Sequence, residues 1–332
     1  MGERSQASPA DPVSLGIDVA KASFDAALLI HGRLLHRSFA MTAEGFDALH
    51  TWLGKQGAER VHACLEATGE YGAALALSRY QARHVVSIVN PARIAASAKS
   101  RLARTKTDKA DAALIAHFCQ TQCPLPWTPP PAEVRELQER VRRVEMLQEM
   151  AQQEVNRLHS GLYSAAVRAS TEATLTFLRQ EIAKMQRLVQ EQVERSAELQ
   201  HKQRLLCSIP GIGRWTAARV LAESDQVRTS VSARQLAAYA GFTPRERTSG
   251  TSVRHQARLA KTGNSRLRRA LSLPAIVAMR HNPAVRALAE RLRARGKRPM
   301  VIVGAAMRKL LHLIYGVLKS GKPFDPALAM GT

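Results

Sequence analysis

Asp18 and Glu66 each stand where a run of apolar residues ends. Ser14-Leu15-Gly16-Ile17 leads into Asp18; Val61, Ala63, Cys64 and Leu65 lead into Glu66, with Ala67-Thr68-Gly69 after it. A carboxylate at the end of an apolar strand is costly when buried without a partner, and a bound cation would offset that cost. Asp108 and Asp111 lie three residues apart in a segment of helical character, which puts both on one face. Acids this close repel each other unless a cation or a proton stands between them. Arg104, Lys106 and Lys109 flank them and could hold a phosphate nearby. Singly, each motif is commonplace. In this order, in a basic chain, strand Asp, strand Glu and a later helical D-x-x-D make the pattern of an RNase-H-like nuclease. Hard oxygen ligands suit Mg²⁺ or Mn²⁺, and two such ions could bracket a scissile phosphate.

A second group of chemically suited residues lies toward the C-terminus. Ser208-Ile209-Pro210-Gly211-Ile212-Gly213 precedes a predicted helix and has the look of a helix-hairpin-helix turn, in which Gly211 and Gly213 would let backbone N–H groups approach a phosphate. The same residues could equally make a tight turn with no ligand. Tyr239 to Arg245 and Thr248 to Arg254 then form a glycine-containing loop rich in small hydroxyl residues, followed by Arg258 and Lys261. This reads as an anion-facing loop. Ser249, or Ser252 after it, could serve as phosphate ligand, cap or nucleophile, and no base is visible nearby.

The elements that must position these groups follow from periodicity. Val13–Val19, Phe24–Ile30, Leu34–Phe39, Arg60–Leu65 and His84–Val89 read as strands; Thr42–Lys55, the segment after Tyr71 and Thr107–Cys119 read as helices. This alternation predicts an α/β sheet domain over 13–125, after a polar, disordered tail over 1–12. Five prolines between Cys123 and Pro131 mark a boundary. Over 132–200, Val134, Leu137, Val141, Val144, Ala151, Val155 and Leu158 recur at intervals of three and four, with Gln148 filling one seam position; Leu175, Leu178, Ile182, Met185 and Val189 repeat the pattern. A helical hairpin or coiled coil follows, and an intermolecular one would imply an oligomer. The remainder, 201–327, reads as helical and loop-rich.

Charge narrows the function. The chain has 332 residues, 49 Lys+Arg against 27 Asp+Glu, and a net charge of +22. From Arg245 to Lys309 there are 17 basic residues, Arg266, Arg268 and Arg269 among them, and two acids, Glu246 and Glu290. A solvated face usually mixes signs, so this one suits phosphate. Aromatic residues make up only 5%, which argues against base stacking as the main binding mode. Four cysteines make no secreted disulfide framework. His117, Cys119 and Cys123 lack the second ligand pair that a zinc site needs. No signal peptide is visible, and the apolar runs Leu271–Met279 and Val301–Met307 are too short to span a bilayer, so a reduced cytoplasm is expected.

The chain resembles the IS110 insertion-sequence family of DEDD transposases, also known as bridge-RNA-guided recombinases. The matching stretches are GIDVAK (16–21), CLEATGEY (64–71), VNPARI (89–94), RTKTDKADA (104–112), SIPGIG (208–213), AAYAGFTPRERTSGTSVR (237–254) and YGVLKSGKPFD (315–325). The resemblance covers essentially the whole chain after its tail. It implies an α/β plus α architecture: an RNase-H-like (RuvC-like) N-terminal domain, a coiled-coil middle and a mainly helical transposase domain. The family's four metal-binding acids fall on Asp18, Glu66, Asp108 and Asp111, and its catalytic serine falls on Ser249. The resemblance further implies Mg²⁺ or Mn²⁺, double-stranded donor and target DNA, a noncoding guide (bridge) RNA, and a dimer of dimers in the bacterial cytoplasm, associated with the nucleoid.

Overall fold

The structure, a computed structural model, describes residues 13–67, 71–100, 107–161, 164–223, 230, 232–249, 253–260 and 262–330, with backbone alone for 245–249, 253–258 and 329–330. Arg104, Lys106, Ser252 and Lys261, and the tail expected to be disordered, lie outside the described residues. The chain divides into two compact units, Met1–Pro129 and Pro130–Thr332.

The first unit is a mixed α/β sheet domain. Strands β1 (Val13–Val19), β2 (Ser23–Ile30), β3 (Arg33–Ala40), β4 (Val61–Glu66) and β5 (Val85–Val89) form one sheet in the order β3-β2-β1-β4-β5. β1, β2 and β3 pair antiparallel, whereas β1, β4 and β5 run parallel. Successive side chains on a strand point to opposite faces, and the two faces of this sheet differ. Leu15 and Ile17 join Leu49, Trp52 and Leu53 of helix α1 (Ala43–Lys55) and Leu75 of α2 (Gly72–Gln81) in one apolar core. The opposite face receives α4 (Asp108–Gln122), which packs on β1, β2 and β4. There Ala112 and Ala116 meet Ala27 and Leu29. A short helix α3 (Pro91–Ser100), which no apolar periodicity announces, packs against α4.

Helix α4 lies unusually close to the sheet, and Gly16 is the reason. A Cβ at Gly16 would fall 2.1 Å from the Ala116 amide nitrogen and 2.2 Å from the Ala112 carbonyl oxygen. Backbone atoms on a packed helix cannot step aside as a flexible side chain can. Small residues on both sides therefore set the spacing between β1 and α4.

In the second unit, α5 (Ala132–His159) and α6 (Ala165–Arg195) form an antiparallel hairpin within the chain. Arg140 Nη1 near the start of α5 donates to the Leu188 carbonyl near the end of α6 at 2.9 Å, and Gln192 Nε2 donates to the Glu133 carbonyl at 2.9 Å. The seam differs from the expected one at a single position. Leu147 is buried and Gln148 is exposed, because a step of three after Val144 keeps the apolar row on a 3.6-residue helix face. Beyond the hairpin come α7 (Ala197–Cys207), α8 (Arg214–Ala222), α9 (Ala233–Tyr239), a two-stranded ribbon β6 (Pro244–Ser249) and β7 (Val253–Leu259), α10 (Ser265–His281), α11 (Pro283–Ala294), α12 (Pro299–Ser320) and α13 (Pro326–Met330). The ribbon corrects the expectation of a loop over this stretch. The apolar runs within α10 and α12 are also parts of longer helices. By length and composition, α12 is long and apolar enough to cross a membrane, at a mean hydropathy of 1.6. Its Ile302, Ala306, Leu310, Leu311 and Ile314 are buried within the unit's core.

Gly16→Ala is expected to destabilise the protein by about 2–3 kcal/mol, the usual range for overpacking against an unyielding neighbour. Gly72→Ala serves as the control, since a Cβ there would meet only Val19 Cγ2, at 3.8 Å. Denaturant melts of both variants check the prediction; equal stability of the two would contradict it.

Candidate functional site

The C-terminal ends of β1 and β4 lie side by side. Ile17 pairs with Leu65 in parallel register, and the next residues along the two strands are Asp18 and Glu66. Gly16, paired with Cys64, faces α4; Asp18 and Glu66, two residues further on, project to the same side. Asp108 and Asp111 occupy the first turn of α4, just past its N-cap Thr107, whose hydroxyl accepts from the Ala110 amide at 3.2 Å. The positive end of the helix dipole favours acids in that turn. The sheet end and the helix start thus bring acids from three elements toward one place.

Electrostatics record this convergence. Burial raises the pKa of Asp18 above its ordinary value, and the charges of Asp111 and Asp108 raise it further, while the Val19 amide donates to its carboxylate and pulls the other way. Asp25 adds a weaker push. It sits directly across from Asp18 on β2 and is held by His36 Nε2 at 2.7 Å and Ser38 Oγ at 2.5 Å. Asp25 is the neighbour that the sequence did not show, because only the register of β1 against β2 places it there. Among the described residues, no three His, Cys, Asp or Glu side chains already close round a single point. Asp18 lies within the field of Asp111 and Asp108, and the three form an open set. An all-oxygen, mutually repelling, half-exposed set has the donor chemistry of a hard divalent cation.

His117, Cys119 and Cys123 do not gather into a metal cluster. Cys119 is buried and donates to the His62 carbonyl at 3.3 Å, whereas Cys123 is exposed. Lys109 is exposed beside Asp108 on α4. In the second unit, Gly211 has φ +105°, and a Cβ there would meet Ala278 of α10 at 2.8 Å, so this glycine permits tight packing of the turn on a helix. Gly213 is the N-cap of α8, with open space around it.

Ser249 ends β6, opposite Val253, at the turn end of the ribbon; Arg245 pairs with Arg258, and Thr248 with Arg254. The foot of the ribbon is firmly tied. The Ala260 amide donates to the Thr243 carbonyl at 2.9 Å. Asn264 donates through its amide nitrogen to the Tyr239 carbonyl at 2.8 Å and through Nδ2 to Glu223 Oε2 at 2.6 Å, while its Oδ1 caps α10. Gly263, at φ +143°, is needed beside it, because a Cβ would lie 2.1 Å from the Tyr239 carbonyl oxygen. Of the basic residues after the ribbon, Arg268 donates to the Ala240 carbonyl at 2.8 Å and Arg269 pairs with Glu149 of α5. Arg266 contributes to the field round the buried Glu223 carboxyl.

A profile of DEDD-type IS110 transposases matches residues 15–167, and a profile of the IS116/IS110/IS902 transposase family matches residues 203–290. The pilin gene-inverting protein of Moraxella bovis is 34% identical over 319 residues, 94% of this chain and 97% of that protein. Its counterpart in Moraxella lacunata is 33% identical over the same shares. The insertion element IS110 uncharacterized 43.6 kDa protein of Streptomyces coelicolor is 30% identical over 150 residues, 45% of this chain and 37% of that protein. These matches define a DNA transposase or recombinase. The chain belongs to the IS110 family of transposases.

The raised pKa of Asp18 has a consequence for stability. An acid whose folded pKa lies above its unfolded value favours folding most when protonated, and it loses that advantage as pH rises through the raised value. Asp18→Asn should therefore stabilise the metal-free protein at neutral pH, by no more than about 1 kcal/mol because solvent screens the half-buried group. The gain should shrink below pH 3.8, the ordinary carboxyl value, where wild-type Asp18 is itself neutral. Thermal melts in EDTA at both pH values test this; a less stable variant at neutral pH would contradict it.

Proposed function

We propose that this protein is an RNA-guided, metal-dependent recombinase that cuts and rejoins DNA through a covalent serine–DNA link. The observation that carries the reading is that Asp18, at the strand end beside the one that bears Glu66, lies within the field of Asp111 and Asp108 in the first turn of α4. The mixed sheet with acids at adjacent strand ends supports an RNase-H-like unit over 13–125, followed by the helical hairpin and the transposase domain. Asp18, Glu66, Asp108 and Asp111 would hold Mg²⁺ or Mn²⁺, which when bound supplies charge neutralisation at a phosphate.

Each remaining role falls to the chain's own residues. Ser249, at the turn end of a ribbon tied at its foot, is the nucleophile. Its Oγ forms a bond to the phosphorus of a DNA phosphodiester, the bond to the 3′ oxygen breaks, and the serine proton ends on that oxygen as a free 3′ hydroxyl. The strand is then joined to the protein through its 5′ phosphate, and rejoining to another 3′ hydroxyl reverses these changes. The acids belong to the first unit and Ser249 to the second, and the family resemblance supports their meeting across subunits of a dimer of dimers. Arg104, Lys106 and Lys109, with Arg245, Arg254, Arg258, Lys261, Arg266, Arg268 and Arg269, would grip DNA and RNA backbones, and Gly211 and Gly213 would offer backbone N–H groups. Base pairing with a guide RNA would then choose donor and target. The place of action would be the bacterial cytoplasm, at the nucleoid.

The two relatives named as pilin gene-inverting proteins favour one variation. Inversion uses the same cut-and-rejoin chemistry on two sites of one DNA, so this chain could invert a segment as well as move one.

Purified protein mixed with donor and target DNA, guide RNA and Mg²⁺ should yield protein covalently bound to DNA, visible on a denaturing gel. Ser249→Ala should reduce that adduct on the order of a thousandfold or more, the scale seen when an enzyme loses its nucleophile. Cleavage at the wild-type rate in Ser249→Ala would overturn the serine and leave a hydrolytic nuclease.

A further inference from the structure

Asp25 is the only charged residue of β2 (SFDAALLI), and strand register gives it its place. It lies directly opposite Asp18 of β1 on one side and directly opposite Ser38 of β3 on the other. Residues opposed in this way share a face of the sheet, with Cβ atoms about 4.5–5.5 Å apart. Glu66 stands on the far side of Asp18, one residue past the Ile17–Leu65 pair. Ser38, Asp25, Asp18 and Glu66 therefore make one polar row across four strands.

That row lies on the face that receives α4. Ala27, two residues along β2 from Asp25, packs against Ala112 and Ala116, so Asp25 projects to the same side. Asp111 directly precedes Ala112, and Asp108 opens the helix. Asp25 thus shares with Asp18 both the face and the end of the sheet toward which α4 brings its two acids.

The Asp25 carboxyl is held firmly, and through one oxygen. Its side chain is only 14% exposed. His36 Nε2 meets Oδ1 at 2.7 Å, and Ser38 Oγ donates to the same oxygen at 2.5 Å. Among the described residues, Oδ2 accepts no hydrogen bond and joins no ion pair. Both bonds need only an acceptor oxygen, which an asparagine would supply, so they do not by themselves call for an acid. His36 offsets the charge only when it is protonated. Like charges directly opposite on neighbouring strands destabilise a sheet, and a largely buried carboxylate is costly without a partner for its charge. A divalent cation beside Asp18 would relieve both costs.

We propose that Asp25 is a fifth carboxylate of the cation site, held in place by Ser38 and His36. The inference rests on the metal-dependent reading of Asp18, Glu66, Asp108 and Asp111, and adds to that set a residue from a third strand. Oδ2 is the oxygen left for the ion, while Ser38 and His36 are positioning residues that act through Oδ1.

Isothermal titration calorimetry with Mn²⁺ on the full chain, without DNA or RNA, tests this apart from any cleavage. Asp25→Asn keeps an oxygen for the Ser38 and His36 bonds, and its Mn²⁺ affinity should fall about tenfold or more, the scale of a lost partner at a metal site. Glu59→Gln removes the same charge from an exposed position before the opposite end of β4 and should leave the affinity unchanged. Ser38→Ala should weaken Mn²⁺ binding in the same direction, and Ser38→Thr, which keeps the hydroxyl, should restore it. Ser38 is exposed on β3, so this pair repeats the test should Asp25→Asn fold poorly. Wild-type affinity in folded Asp25→Asn, or in Ser38→Ala where Asp25→Asn does not fold, overturns the proposal and leaves the four-acid site standing. No Mn²⁺ uptake by the wild type overturns the metal-dependent reading and this inference with it.

Discussion

The first unit depends on how closely α4 can approach β1. Gly16 removes the one side chain that would hold the helix off, and Ala112, Ala116 and Ala27 leave nothing bulky in the gap. That approach is what makes Asp18 sensitive to the charges of Asp111 and Asp108. A small-residue contact between backbones therefore has an electrostatic consequence one turn away. The fold accepts repulsion among carboxylates at the sheet end, and the helix dipole at the start of α4 offsets part of it.

The second unit uses a different device for a similar end. The β6–β7 ribbon has little apolar surface of its own, with PRERTS facing VRHQARL. An isolated two-stranded ribbon is marginal in water. Here its foot is tied through Thr243–Ala260 and through the Tyr239–Asn264–Glu223 bonds, and Gly263 lets the chain pass close to Tyr239. The foot is fixed by hydrogen bonds, and the far end carries the serine that the proposed chemistry uses.

Much of this architecture was legible in the residues, for identifiable reasons. Strands β1, β2, β4 and β5 of the first unit are mainly apolar runs cut off by Gly, Asn or an acid, so Val13–Val19 stands out within the expected bounds, whereas β3 mixes Arg33, His36, Arg37 and Ser38 with its apolar residues. Asp18 and Glu66 were visible because an acid ends each of two such runs. Asp25 was hidden, since its importance depends on cross-strand register, which no local pattern carries. The ribbon was hidden as well. Charged and polar residues occupy both faces of its strands, and the alternation that marks a half-buried strand is missing. A strict seven-residue repeat points to Gln148, but the helix shifts its apolar row by three, onto Leu147. In α12 the pair Arg308-Lys309 interrupts the apolar run in one dimension, while on the helix those residues are only partly buried and the core face continues past them through Leu310, Leu311 and Ile314.

The central claim is that Asp18, Glu66, Asp108 and Asp111 act together as one cation site. Titration of Mn²⁺ into the full-length protein, with free Mn²⁺ followed by electron paramagnetic resonance, tests it most directly. The account predicts saturable binding in the wild type that is lost in an Asp18→Asn/Asp111→Asn variant whose melting curve shows it folded. Unchanged Mn²⁺ uptake by that folded variant would contradict it.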